Sequence, residues 1–366
     1  MSFLKNLFQK PPTVEKTEIT KRFDLIGRVG QGSMSKVWRA RDTFTGNEVA
    51  LKVLDKAKML RFESRFSPEL KKPSEGAVAV TLKHAGIVHT LEHGTTTEDE
   101  QFLVMEFVEG LGLSYLVDTQ NEMMQSGRLR FIVQLAEAIE YFHKEGWIHR
   151  DICPRNVLVD PDGVIKLIDF GLVVPNTPPF QAPGNRTGTA NYMAPELIKR
   201  QRTGQQIDIF SFAVTAFEMF TRELPWGTAE TLDAVLQHIN QPPKLITEFV
   251  PGIDPELGDV LMKGLERDPR DRWQSMSEMV EALRDVRKRL HQQAKARQRR
   301  AAKPRPVATA NDEAPRSDVQ SPSGGPGQGP VGRPGQGPSG QGPSGGPRKK
   351  PSKKPSSGPE GPPKSR

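Results

Sequence analysis

One cysteine, Cys153, is all the sequence offers for covalent cross-linking, so an intrachain disulfide framework is excluded and a reducing, cytoplasmic setting is expected. No apolar run approaches the roughly 18 residues that a membrane-spanning helix requires, so no transmembrane segment is expected. The opening MSFLKNLFQK has its apolar residues interrupted by Lys5 and Asn6, and no small-residue cleavage site follows. It reads as a frayed terminus rather than a secretory signal or a short interfacial helix. Large apolar residues all but vanish beyond about Pro304, where Gly, Pro, Ser, Gln and Lys dominate. Such a segment cannot bury enough surface to offset its ordering entropy, so residues 304–366 are expected to be disordered. Acidic residues are scarce there too: residues 287–366 hold 18 Lys or Arg against 4 Asp or Glu, a net of +14 in a chain of net +8. The preceding residues therefore carry about −6, and the basic balance belongs to the tail, not to a nucleic-acid-binding fold.

What remains is ordinary globular sequence, long enough to bury at least one full core. From Phe23 to about Phe107 the pattern is strand-like, with Gly-rich turns, the alternation of EVALKVL and a second apolar run in FLVMEF. One helix is expected to interrupt it. After Gly110 a helical period takes over through Phe131, Leu135, Ala138, Ile139 and Phe142, and it ends at Gly146, a natural C-cap. VLVDPDGVIKLIDFG then predicts a hairpin around Asp162-Gly163, and Pro195 to Val286 is again mostly helical. The spacing of Met276, Met279, Val280, Leu283, Val286 and Leu290 carries the last helix into its basic stretch. The expected organisation is an extension over 1–22, a domain over 23–286 with a sheet-rich part 23–107 and a helical part 111–286, a basic helical extension over 287–303, and the tail.

Several motifs carry chemistry. GQGSMSKV, Gly30 to Val37, lies between strand-like runs, where glycines let backbone amides approach an anion with no Cβ in the way. VALK places Lys52 in an alternating strand. LKHAGIV, FLVMEFVEG, HRDICPRN, DFG at Asp169, GTANYMAPE, DIFSFA and RDPRDRW follow in that order. Each alone has an ordinary structural explanation: a hairpin turn, a solvated lysine, a buried strand, a chance triplet. Their order and spacing together do not. Over residues 23 to about 286 the sequence resembles the eukaryotic-type (Hanks-type) serine/threonine protein kinases, in the manner of bacterial members.

The resemblance implies an α+β, bilobal protein kinase-like fold, with a small β-rich lobe and a larger helical one. It also implies transfer of the γ-phosphate of ATP to protein Ser or Thr hydroxyls, with Mg2+, or Mn2+ in its place, as the metal. Gly30, Gly32, Ser35 and Val37 would cover the nucleotide, Ser35 standing where the family has its third glycine. Ala50, Met105 and Leu158 would enclose adenine, and backbone groups of Glu106 and Val108 would hydrogen-bond it. Lys52 would hold the α- and β-phosphates and pair with a helix glutamate, Glu75 by spacing, with Glu69 and Glu63 as rivals because Pro68 and Pro73 crowd that helix. Asp151 would orient the acceptor hydroxyl, while Asn156 and Asp169 would bind the metal. His149 would pack in the core, Thr189 position Asp151, Glu196 pair with Arg272, and Asp208 anchor the catalytic loop.

One departure stands out, since the family's lysine two residues after the aspartate is Cys153 here. Arg155 is expected to supply the missing charge. Cys153 itself reads as a filler thiol rather than a redox handle. Arg150, preceding Asp151, implies control by phosphorylation between DFG and APE, at Thr187 or Thr177. Three other functions compete: a pseudokinase that binds ATP and recruits partners with little phosphotransfer, a tail that binds acidic proteins or nucleic acid, and a small-molecule kinase of related fold, which the GT and APE segment weighs against. The Lys/Arg clusters lack the interleaved aromatics that base stacking needs, so any nucleic-acid binding there would be non-specific.

Overall fold

The computed structural model describes residues 16–31, 35–64, 70, 72–184, 187–228 and 231–301. Gly32, Pro68, Glu69, the segment 1–15 and residues 302–366 lie outside the described residues, and with them most of the N-terminal extension and the tail expected to be disordered. A four-residue helix α1 (Ile19–Arg22) leads into β1 (Phe23–Gln31), β2 (Ser35–Asp42) and β3 (Glu48–Leu54). With β4 (Thr90–Thr95) and β5 (Gln101–Glu106) these form one antiparallel sheet in the order β1-β2-β3-β5-β4. The two-residue period of a strand decides which side chains face which core. Val49, Leu51, Phe102 and Val104 join Phe23 and Ala40 in a cluster on one face. The alternate residues Leu54, Leu103 and Met105 join the main core, and Lys52, in phase with them, is buried on that same face.

Between β3 and β4 the described residues form two helices where the sequence predicts one: α2 (Lys56–Glu63) and α3 (Glu75–Ala79). The Asp55 and Ser74 side chains cap them, accepting from the amides of Lys58 and Ala77. Pro73 sits one residue ahead of the second cap. Lacking an amide hydrogen, it cannot occupy a helix interior, so α3 begins after it.

The larger lobe opens with β6 (Leu111–Gly112), α4 (Leu113–Thr119) and α5 (Glu122–Lys144). After α5 come β7 (Trp147–Ile148), a 3-10 turn at Pro154–Asn156, β8 (Val157–Val159), β9 (Ile165–Leu167) and β10 (Val174–Pro175). β8 and β9 form the expected hairpin, with Gly163 in its turn at φ +74°, a left-handed value that favours glycine. Six helices complete the domain: α6 (Pro178–Gln181), α7 (Pro195–Ile198), α8 (Gln206–Thr221), α9 (Leu232–Asn240), α10 (Ile246–Phe249) and α11 (Pro255–Gly264), before the closing α12 (Met276–Ala301). α8 is buried on every face from Ile207 to Phe217, the mark of a central core helix. α12 is one continuous helix across the expected boundary at residue 286: Met276, Met279, Val280, Leu283 and Val286 are buried, whereas residues 291–301 are exposed. Among the described residues no helix is long and apolar enough to cross a membrane.

Arg272, wholly enclosed, spends every donor it has. Two go to the Glu196 carboxylate at 2.7 and 2.8 Å, and the rest to the carbonyls of Glu266, Arg267 and Gln206. Glu196→Ala is expected to strand that guanidinium and to cost about 3–5 kcal/mol. Denaturant unfolding measures it, and a loss well under 1 kcal/mol would show that the pair does not hold the lobe together. His238 gives a pH-dependent counterpart. It is stacked on Trp226 at 4.5 Å and is 2% exposed, and burial pushes its pKa down to about 4. The unfolded chain takes up this proton near pH 6.5 and the folded one does not, so stability is full above that pH and falls as pH drops towards 4. The expected difference is about 3 kcal/mol relative to His238→Phe, read from unfolding curves at pH 7 and pH 4.

Candidate functional site

The sheet of the smaller lobe and the β8–β9 hairpin of the larger one face each other across a cleft of about 1290 Å³. Gly30, Ser35, Val37, Ala50, Lys52, Met105, Glu106, Val108, Asp151, Arg155, Asn156, Leu158 and Asp169 all line it. Of the residues singled out from sequence, Gly32 lies outside the described residues and Glu75 sits behind the wall. The glycine-rich turn brings Gly30 opposite Val37 across β1 and β2. Met105 is 5% exposed at the inner end, and the Glu106 amide donates to the His89 carbonyl at 2.9 Å. The Glu106 carboxylate pairs with Lys166 at 2.7 Å.

At the centre, Lys52 Nζ lies 2.5 Å from Glu75 Oε1 and 2.9 Å from Asp169 Oδ1. Among the described glutamates considered for this role, Glu75 makes the contact; Glu63 is exposed. Burial alone would strip the Lys52 ammonium of its proton, but the Asp169 and Glu75 carboxylates overcome it and hold the pKa above the usual lysine range. Burial also pushes Asp169 upward, yet Lys52 prevails and leaves that carboxyl below its usual range. Glu75 is pushed up by burial, with Lys52 opposing. The Lys52 and Glu75 side chains are 5% and 2% exposed, while Asp169 is 39% exposed, so Asp169 is the member of the triad open to a ligand.

The catalytic-loop residues are fixed from beneath. Asp208, on α8, accepts from the amides of His149 and Arg150 at 2.8 Å each and contacts His143 Nε2 at 2.9 Å. Burial raises the Asp208 carboxyl, but the His143 hydrogen bond and the neighbouring donors bring it below its ordinary value. His149 is enclosed between Phe142 and Phe170. The Asp151 carboxylate is held at both oxygens: Thr189 donates its amide at 2.8 Å and its hydroxyl at 2.7 Å to Oδ1, and Asn156 Nδ2 donates to Oδ2 at 2.9 Å. Arg155 donates to the Thr189 hydroxyl at 2.9 Å. Asn156 Nδ2 also donates to the Asp151 carbonyl, which commits the nitrogen and leaves the amide oxygen as an acceptor. One carboxylate and one amide oxygen are hard donors, suited to Mg2+ or Mn2+ sharing phosphate oxygens and water. No group of three or more His, Cys, Asp or Glu that could hold a metal occurs among the described residues.

Sequence reasoning missed two features. Lys58 and Arg61 of α2 line the cleft, and the sequence reading assigned neither of them a role. Tyr192 donates to Glu218 Oε2 at 2.5 Å, joining the segment before α7 to α8. Burial and the Glu218 charge push the phenol up, and burial does the same to the Glu218 carboxyl. No local pattern announces either contact. Of the two threonines considered for phosphorylation, Thr177 is exposed and Thr187 is 5% exposed, its hydroxyl without a partner among the described residues. Arg150 is buried at 5% and gives one donor to the Phe180 carbonyl.

A family model described as a protein kinase domain matches residues 23–283. A probable serine/threonine-protein kinase of Clostridium perfringens is 31% identical over 271 residues, covering 73% of this chain and 38% of that protein. One from Streptomyces coelicolor is 30% identical over 289 residues, covering 74% and 41%. Serine/threonine-protein kinase PknB of Mycobacterium tuberculosis is 28% identical over 271 residues, covering 72% and 42%. The chain thus spans about two fifths of the length of these curated relatives.

Cys153 is fully buried, and burial, aided by the nearby Asp151 charge, pushes its thiol up to about 11. At pH 8 the thiolate fraction is then on the order of 10⁻³, so iodoacetamide is expected to label the native chain at least tenfold more slowly than the unfolded chain. Equal rates would show an open, reactive thiol.

Proposed function

The chain belongs to the protein kinase domain family, and from that premise we propose that it is a serine/threonine protein kinase, transferring the γ-phosphate of ATP to Ser or Thr hydroxyls of protein substrates. The observation that carries the reading is the convergence of Lys52, Asp151, Asn156 and Asp169 on one cleft, from four separate stretches of chain. Phosphoryl transfer asks a protein chiefly for positioning and electrostatic stabilisation. Gly30, Ser35, Val37, Ala50, Met105 and Leu158 enclose the nucleotide, Glu106 and Val108 meet adenine through their backbones, and Lys52 holds the α- and β-phosphates. Glu75 keeps Lys52 in place. Asp169 and Asn156 would hold Mg2+ or Mn2+, which would neutralise charge on the phosphates.

Asp151 accepts the proton of the acceptor hydroxyl from a carboxylate whose orientation Thr189 and Asn156 fix. Arg155 provides the positive charge that Cys153 cannot, and its bond to Thr189 ties it to the same group. The intact set of charged residues weighs against a pseudokinase. Preference for Ser and Thr is supported by Pro154 and by the glycine and threonine before ANYMAPE. Phosphorylation between DFG and APE regulates the enzyme through Arg150, and Thr177 is the candidate open to an incoming active site. A cytoplasmic location and salt-sensitive binding of acidic proteins or nucleic acid by the basic tail complete the reading.

Radiolabelled ATP with a generic protein substrate tests it. Asp151→Ala is expected to lower kcat by about 10²–10⁴-fold and Asp169→Ala to abolish turnover while the fold persists. Arg155→Ala is expected to lower turnover by about tenfold or more, as loss of a transition-state charge contact does. Turnover unchanged by Asp151→Ala sinks the catalytic assignment, and turnover unchanged by Arg155→Ala sinks the compensation alone.

A further inference from the structure

The mouth of the cleft carries more positive charge than the nucleotide-holding residues account for. Lys58 and Arg61 line it from α2 in the smaller lobe, and Arg155 lines it from the larger lobe beside Thr189. Three residues apart on a helix capped by Asp55, Lys58 and Arg61 share one face. Both are exposed. Lys58 makes only a long, solvent-exposed ion pair with Asp55 at 3.8 Å, and the Arg61 guanidinium has no partner among the described residues. The carboxylates lining the cleft are engaged elsewhere: Asp169 with Lys52, Glu106 with Lys166, Asp151 with Thr189 and Asn156, and the exposed Glu109 with Arg39 at 3.5 Å. Exposed, weakly paired cations at the rim of a cleft attract anions to it and penalise cationic ligands.

We infer that Lys58 and Arg61 are specificity-determining residues that select protein segments carrying an anionic side chain, a carboxylate or a phosphate, beside the acceptor hydroxyl. Their meaning as specificity rests on the kinase reading above, but the peptide binding they require does not depend on turnover. Lys58 and Arg61 face the segment from one wall and Arg155 from the other. The side chains are long and water-exposed, so they act through field and encounter more than through a fixed hydrogen bond.

The test uses the full-length chain and fluorescent serine peptides flanked by Glu, by phosphoserine, or by Gly and Ala, read by anisotropy at low salt. Anionic peptides are expected to bind about tenfold tighter than the neutral one, with the preference shrinking as salt rises. Lys58→Glu/Arg61→Glu removes that preference and leaves the neutral peptide's affinity unchanged, Lys58→Ala/Arg61→Ala removes part of it, and Asp151→Ala keeps it. Preference for both anionic peptides, or for phosphoserine alone, supports the inference and separates acidic from previously phosphorylated substrates. The basic tail contributes a background common to all variants. An unchanged ratio of anionic to neutral affinity in the charge-reversed chain overturns the inference, as does an effect confined to nucleotide affinity. Phosphotransfer run in parallel separates the two readings: selectivity without turnover overturns the kinase reading, and turnover without selectivity overturns this one.

Discussion

An ammonium group sealed from water stays charged only when carboxylates surround it, and Lys52 takes its two from opposite lobes. Glu75 comes from a five-residue helix packed on the small sheet, Asp169 from the chain just beyond β9. Strand β3 supplies the lysine because its two-residue period turns Val49 and Leu51 to one core and Lys52 to the other side. The ion triad therefore does more than furnish charge. It makes the placement of α3, of β3 and of the segment after β9 mutually dependent, since displacing any one leaves a buried charge without its counterpart.

Beneath the cleft a second constraint acts through the backbone. Arg150 adopts φ +70°, a left-handed conformation that costs an ordinary residue free energy. Two interactions offset that cost: the Arg150 amide donates to Asp208, and its guanidinium donates to the Phe180 carbonyl. Close by, Gly188 sits at φ +132°, and a Cβ there would lie 2.6 Å from the Arg150 carbonyl oxygen. The chain carrying Thr189 can therefore approach the chain carrying Asp151 only with glycine at that position. Thr189 then reaches both an amide and a hydroxyl to one carboxylate oxygen, so Asp151 is oriented by a neighbour whose own approach depends on the absence of a side chain.

Much of this was legible in the sequence, for identifiable reasons. The alternation of EVALKVL and FLVMEF, the period of α5 and the turn at Gly163 are local signals, and local chemistry decides them. Glu75 was less legible because Pro73 and the split into α2 and α3 remove the long helical period that would have marked it. Lys58 and Arg61 were not legible, because nothing in DKAKMLRFE says which face meets a cleft formed by residues a hundred positions away. The Tyr192–Glu218 hydrogen bond is of the same kind. It exists only because α8 runs through the middle of the lobe, a fact that its uniformly apolar composition suggests but whose rotation about its axis it does not specify.

The closing helix α12 has two characters along one axis. Its first half is bound to the lobe by buried Met276, Met279, Val280, Leu283 and Val286, and Arg289 fastens it to Asp254 at 2.5 and 2.9 Å. Beyond His291 no side chain is covered, and the turns persist as a continuation of a helix whose nucleation the first half has already supplied. The energetic result is a gradient. Amides near Leu283 and Val286 can open only when the lobe itself comes apart, while those near Ala301 need only end fraying, so hydrogen exchange along this single rod should span much of the range from local to global unfolding.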